Sequence, residues 1–407
     1  MKNLILFFII SPFLGFIQGL KNYRESWAKN TVWLFVIFYG FTMAKPEIAD
    51  SSRYVTQLKT LHNSEASWNT FVNTLYEVDD RGSGNVDIYQ QIVTYVVSLI
   101  TSNGDVLFAI FGAVFGFFYS RNIWFLLQSV RKDTLSWTSW MILISFMCAV
   151  GFWNLGGVRM WTAAHVFFYG AFLYLLEGKK KGLIFCLLSV FVHFSFVLPL
   201  GLFLFYILVK PSYKILFYIF LVSFFISSLK LTFINATIEA YAPDFIIPRV
   251  SNYASEDYAE VINDMNEKAN WYIVYYNQAL NWGLMLVFSI VFFKRKIATT
   301  LNESSIKFFG LSLFLLIVGN FLSGVTSGGR YLTIAQLFAT ASLLLITINY
   351  KDSWFRRKLI LCAPFFIFFV IISVRVAIDT VTFDTIFFNP IIAVFANVRI
   401  PLIDFIK

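Results

Sequence analysis

The sequence predicts an all-α protein, a polytopic transmembrane helical bundle of about 12 to 13 spans. Three observations predict it. Of the 407 residues, 58% are hydrophobic and 14% are charged, whereas a soluble domain carries roughly 25% charged residues. The apolar residues fall in blocks of bilayer length, such as Leu4–Leu20, Val32–Met43 and Leu359–Val374, longer than core strands. Alternation at period two is absent, which excludes an outer-membrane barrel. A chain in lipid must satisfy its own backbone hydrogen bonds, and that leaves helices.

In chain order the spans are expected near 3–20, 30–44, 104–120, 136–152, 160–177, 182–193, 195–209, 215–229, 281–293, 306–322, 331–349 and 359–378, with a further candidate at 388–404. The first run follows Met1-Lys2 and is broken by Ser11-Pro12 without a small-x-small cleavage site, so it reads as a span and not as a signal peptide. In 388–404, Pro390, Arg399 and Pro401 fit an interfacial tail as well as a span. Residues 1–407 read as one integral membrane domain. The aromatic content of 20%, mostly Phe, suits lipid-facing and helix-packing surfaces. Cys148, Cys186 and Cys362 all fall inside expected spans, so neither a disulfide framework nor a metal cluster is expected.

Charge sets the expected topology. The short connections at 21–29, 120–135, 178–181, 210–214, 294–307 and 350–358 collect 19 Lys or Arg, among them Lys179-Lys180-Lys181, Lys294-Arg295-Lys296 and Arg356-Arg357-Lys358. The two long connections, 45–103 and 230–280, hold 7 basic and 14 acidic residues. This is the positive-inside asymmetry, so the net charge of +9 reflects orientation and no nucleic-acid partner is expected. Both long loops are then extracytoplasmic. The first carries Asp87–Ile100, a short apolar run opened by an acidic residue and expected as a helix in the outer leaflet. The second mixes acidic residues with Tyr241, Tyr253, Tyr258, Trp271, Tyr272, Tyr275 and Tyr276, a composition that suits sugar stacking or an interfacial aromatic belt.

Polar residues at membrane depth are costly and so are functional candidates. Arg159 stands in Asn154-Leu155-Gly156-Gly157-Val158-Arg159-Met160-Trp161 at the outer end of a span. His193 lies in an apolar stretch bounded by Lys181 and Lys210. Both ends being basic, the chain should enter, turn at His193-Phe194-Ser195 and return, bringing His193 near the outer surface. Arg330 stands in Ser327-Gly328-Gly329-Arg330-Tyr331, and Asp50 and Arg53 open the first long loop. Arginines in such a vestibule suit a diphosphate, because the planar fork binds phosphate oxygens and stays charged. A histidine beside them can take a proton from a sugar hydroxyl. The plainer readings are snorkelling anchors for the arginines and a helix-packing role for the histidine. His165 reads as packing and His62 as a solvated loop residue. Asp-x-Asp pairs beside a basic loop and phosphate-loop glycines are absent; Asp79-Asp80, Asp257 and Gly82-Ser83-Gly84 fall in the long loops.

At these residues the chain resembles the EpsG-type and Wzy-type (O-antigen polymerase) polysaccharide polymerases. The matching features are Asp50-Ser51-Ser52-Arg53-Tyr54, Asp87-Ile88-Tyr89, Arg159 at the head of a span, His193-Phe194-Ser195, and Gly329-Arg330-Tyr331. The resemblance implies a metal-independent glycosyltransferase of the bacterial inner membrane, without a cofactor, acting at its extracytoplasmic face. Its donor and acceptor would be undecaprenyl-diphosphate-linked repeat units of O-antigen, capsule or exopolysaccharide, with a chain-length regulator as a further partner. On that resemblance Arg159 and Arg330 hold the diphosphate and His193 is the base. Asp50, Arg53, Tyr54 and Tyr331 bind substrate. An O-antigen ligase would carry a similar site, and a glycan acyltransferase would also use a membrane histidine. A flippase of lipid-linked oligosaccharide would need mid-span charges, which are scarce here.

Overall fold

The computed structural model describes residues 7–47, 49–64, 67–69, 71–72, 87–130, 135–225, 269–294, 300–324, 327–396 and 398–406. They are helical, and an isolated antiparallel bridge between Thr382 and Pro401 is the one β pairing among them. Six stretches are long and apolar enough to cross a membrane: Gly104–Gln128, Trp137–Leu175, Trp271–Phe293, Glu303–Leu322, Gly329–Asn349 and Ser353–Ala377. The protein is therefore an all-α polytopic membrane protein.

The first helices, α1 (Pro12–Lys21) and α2 (Ala28–Thr42), follow the expected first two spans. Ser11 ends the preceding turn and caps α1 through Leu14 N–H, with Pro12 at the first helical position, where its missing N–H costs nothing. The described residues of the first long loop include the helices α3 (Asp50–Asn63) and α4 (Ile88–Ser98). The sequence announced only the second. His62, expected in solvent, ends α3 and bonds the Ser98 carbonyl through Nδ1 at 2.6 Å.

Helix α5 (Gly104–Gln128) outruns its expected span into the basic connection. There Arg121 lies over the rings of Trp33 and Phe117, so its stem is absorbed by packing rather than left in a loop. The helices α6 (Trp137–Ala149) and α7 (Val158–Leu175) are joined by a 3₁₀ turn, Phe152–Gly157. Phe146 packs on Phe168 and the Val150 carbonyl meets His165 Nε2 at 3.0 Å, so the chain doubles back through this turn. His165 is fully buried in this packing, its expected role.

The segment between Lys181 and Lys210 follows the expected bounds and turns at His193-Phe194-Ser195 as expected, in two short apolar helices. It forms α8 (Gly182–Val192), a 3₁₀ turn at Phe194–Phe196, and α9 (Val197–Val209), helices about 16 and 20 Å long. Neither matches the hydrocarbon thickness of about 30 Å; the extended backbone at His193, φ −151°, breaks the run. Gly170 and Gly182 face each other with no room for a Cβ on either, and this close approach runs α8 back along α7. Phe203 against Phe167 and Tyr174 then returns α9 towards the basic end.

The remaining helices are α10 (Tyr213–Ser223), α11 (Trp271–Phe293), α12 (Glu303–Leu322), α13 (Gly329–Asn349) and α14 (Ser353–Ala377). Helix α11 begins ten residues before the expected span, so Trp271, Tyr272, Tyr275 and Tyr276 occupy its first turns; Trp271 and Tyr276 stack on Phe368 and Phe369 of α14. Tyr241, Tyr253, Tyr258, Asp79, Asp80, Asp257 and Gly82–Gly84 lie outside the described residues. The final candidate span, 388–404, is not a crossing helix. Preceded by α15 (Phe383–Phe387), it forms α16 (Pro390–Ala396), an isolated bridge from Pro401 back to Thr382 and a 3₁₀ turn at Leu402–Phe405. Pro401 and the left-handed backbone of Arg399, φ 50°, turn it over the ends of α2 and α5.

Candidate functional site

Asp87, Arg159 and His193 converge. Arg159 is the second residue of α7, and His193 terminates α8. Asp87 occupies the N-cap position of α4, but its side chain makes no capping bond to that helix. Its carboxylate reaches across instead: Oδ2 accepts from Arg159 Nη1 at 2.9 Å and bonds His193 Nδ1 at 2.8 Å, and Oδ1 accepts from Phe194 N–H at 2.8 Å. The last bond places an anion at the start of the 3₁₀ turn leading into α9, where free N–H groups and the helix dipole favour it.

Asp87 is 6% exposed and His193 7%, so the carboxylate is satisfied by protein. Burial pushes the Asp87 carboxyl upward. The bond from His193, the charges of His193 and Arg159 and the Phe194 amide outweigh it and hold the carboxyl below its ordinary value of 3.8. Asp87 is then ionised at neutral pH, and against a carboxylate the neutral form of the imidazole carries its proton on Nδ1 and donates it to Asp87. Nε2 is left as the acceptor, without a partner among the described residues.

Tyr54 completes the cluster from α3. Its hydroxyl accepts from Arg159 Nε at 3.0 Å, and the guanidinium lies 5.8 Å from its ring centroid. Burial pushes the Tyr54 phenol up to about 12, against the opposing charge of Arg159. Arg159 thus spends Nε and Nη1 on protein and keeps Nη2 open among the described residues.

The site is recessed. Tyr54 and Tyr89 both pack on Phe111 of α5, at 6.3 and 5.9 Å between centroids. Phe111 lies six residues below Asp105 at the head of α5, about 9 Å along the axis.

The other expected residues are spread around this centre. Tyr331 donates to the Ser195 carbonyl at 3.4 Å, which seats the start of α13 beside the His193 turn. Arg330, its neighbour, is half-buried; its amide bonds the Ser327 carbonyl at 3.3 Å, and its guanidinium has no hydrogen-bond or ion-pair partner among the described residues. Asp50 and Arg53 form an exposed i,i+3 pair at 3.5 Å and do not join the Asp87 cluster. Both share α3 with Tyr54, and Arg53 borders an open groove of about 490 Å³ along that helix. The residue that sequence reasoning passed over is Asp87, noted as the opening of a short helix and given no role. An acid directly before an apolar run was its signal.

A second ionic cluster lies at the same end. Asp105 bonds Lys45 at 2.5 Å and Arg399 at 3.0 Å, and Arg399 bonds the fully buried Asp384 at 2.5 Å. The Arg399 guanidinium also lies 5.0 Å from the Phe41 centroid.

Fold and site together define the class: a polytopic α-helical membrane protein with a carboxylate-held histidine and arginine recessed in one end of the bundle. The model of the EpsG family matches residues 27–390, and the chain belongs to the EpsG family. Among curated proteins and among solved structures, nothing matches. Family membership points to a polysaccharide polymerase.

Proposed function

We propose that this chain joins undecaprenyl-diphosphate-linked oligosaccharide repeat units into O-antigen, capsular or exopolysaccharide at the extracytoplasmic face of the bacterial inner membrane. The observation that carries the reading is the single carboxylate of Asp87 holding both His193 and Arg159. In this mechanism the acceptor sugar hydroxyl gives its proton to His193 Nε2 as its oxygen attacks the anomeric carbon of the donor. The bond from that carbon to the diphosphate oxygen breaks, and the lipid diphosphate leaves with the electron pair.

Arg159 Nη2 and the unpaired Arg330 meet the negative charge that grows on the leaving group. Two guanidiniums can supply this neutralisation without a metal. Asp87 keeps the imidazole turned and stabilises the imidazolium that forms. Tyr54 holds Arg159 in place. Asp50, Arg53 and Tyr331 line the approach on α3 and α13 and are assigned to the acceptor glycan. A chain-length regulator is the expected protein partner. The positive-inside charge pattern supports the extracytoplasmic placement.

The test is a gel of surface glycan from a strain lacking the gene, complemented by wild type or by His193→Ala. Deletion should leave lipid A core capped with a single repeat unit, wild type should restore the ladder, and His193→Ala should not. Bare core with accumulated long lipid-linked glycan would make the protein a ligase. Repeat units retained on the cytoplasmic leaflet would make it a flippase.

A further inference from the structure

The residues that form the dyad also end the two helices of a lipid-facing seam. Asp87 is the N-cap of α4, His193 is the C-cap of α8, and the two helices pack against each other. Helix α4 has its faces reversed for a helix in water. Gln90, Gln91 and Thr94 are turned inward, each 5% exposed or less, whereas Ile88 and Ile92 remain 38% and 37% exposed. On α8, Ile184, Leu187, Leu188 and Phe191 are spaced i, i+3, i+4 and i+7 and form one stripe, each between 44% and 58% exposed. The stripe stops two residues short of His193.

We propose that this seam docks the polyprenyl tail of the lipid diphosphate donor, with the tail along Phe191, Leu188, Leu187 and Ile184 and the diphosphate at Arg159. The inference rests on the donor assigned above. An amphiphile whose head reaches Arg159 must keep its tail in hydrocarbon, and the stripe offers about 10 Å of apolar surface that begins beside the cluster. It then runs towards Lys181, from the level of the head into the bilayer. Helix α4 supplies the second wall: Gln90 turns inward to bond Gln57 of α3 at 2.9 Å, and the outward isoleucines of α4 face the tail. The exposed Leu361 and Ile371 lie on α14, which contributes no residue to the Asp87 cluster.

The test places a photoreactive benzophenone amino acid at position 188 or, as a lipid-facing control, at position 371 of the full-length protein in vesicles. The probe is radiolabelled long-chain polyprenyl diphosphate. Labelling at 188 should exceed that at 371 about tenfold, the order expected for a few buried methylene groups. Unlabelled polyprenyl diphosphate should compete and phosphatidylglycerol should not. Equal labelling at both positions, or equal competition by phosphatidylglycerol, would mean ordinary boundary lipid and would overturn the inference.

In a polymerisation assay, Leu188→Asn should raise KM about tenfold for a long-chain donor and leave a two-isoprene donor unchanged. The same change for both donors would also overturn it. Failure of the wild type to extend either donor would instead remove the donor assignment, while the labelling result still reports on the seam.

Discussion

At the residue scale the deciding feature is that one carboxylate serves three donors. A buried acid is costly unless its lone pairs are filled, and Asp87 is filled by Arg159, His193 and the Phe194 amide. Asp87→Asn keeps the shape but loses the charge that fixes the histidine tautomer. Polymerisation should fall about 10²- to 10⁴-fold, the range for removing an oriented general base, in a protein that still inserts and is purified at wild-type yield. The substitution also leaves Arg159 short of its counter-ion, so thermal stability in detergent should fall with activity. The pH dependence has a definite sign. Because the folded Asp87 carboxyl lies below its ordinary 3.8, its stabilisation is complete above that value and is lost as pH falls through the lower, folded one. The stability gap between wild type and Asp87→Asn should therefore stay constant above about pH 4 and close only below it; a gap that closed near neutrality would assign it to another group.

At the scale of elements, the site depends on helices that stop early. Helix α8 ends at His193 because the backbone there is extended, and α7 starts after the two glycines of its 3₁₀ turn. The C-terminal return is an element of the same kind. It is held over α2 and α5 by Arg399, which joins Asp105 to the buried Asp384, and by Thr382 Oγ1 donating to the Thr42 carbonyl at 2.8 Å. Breaking a buried ion pair from one side costs about 3–5 kcal/mol, because the remaining charge has no partner. Arg399→Met should lower the unfolding midpoint in detergent by an amount corresponding to that cost and expose residues 390–396 to protease. Asp384→Asn in the same background should recover part of the loss, since it removes the stranded charge. An Arg399→Met protein as stable as wild type would make the return a passive tail.

At the scale of the molecule, the bundle has a basic end and an acidic, site-bearing end. Lys179–Lys181 lie at the opposite end of α7 from Arg159, and Arg356–Lys358 lie at the opposite end of α14 from the C-terminal return. The proposed extracytoplasmic placement of the site rests on this charge pattern and the positive-inside rule. Reporter fusions at residue 180 should be cytoplasmic and those at residues 65 and 255 extracytoplasmic; an inverted pattern would move the proposed chemistry to the cytoplasmic face.

The sequence by itself determined the class of this protein and supplied the charge pattern from which its orientation is proposed. Apolar block length, charge scarcity and the lysine and arginine bias act locally along the chain, through the cost of placing each segment in lipid. They were legible for the same reason that His193 and Arg159 stood out, as polar residues in expensive surroundings. Only the tertiary structure decided what these residues do for one another. Asp87 lies 106 positions from His193 and 72 from Arg159, and nothing local distinguishes an acid that starts a helix from one that binds across to two others. The depth of the site was hidden likewise. It follows from the half-length of α8, from α4 turning its polar face inward, and from packing on Phe111, all of which are set by contacts between helices distant in sequence.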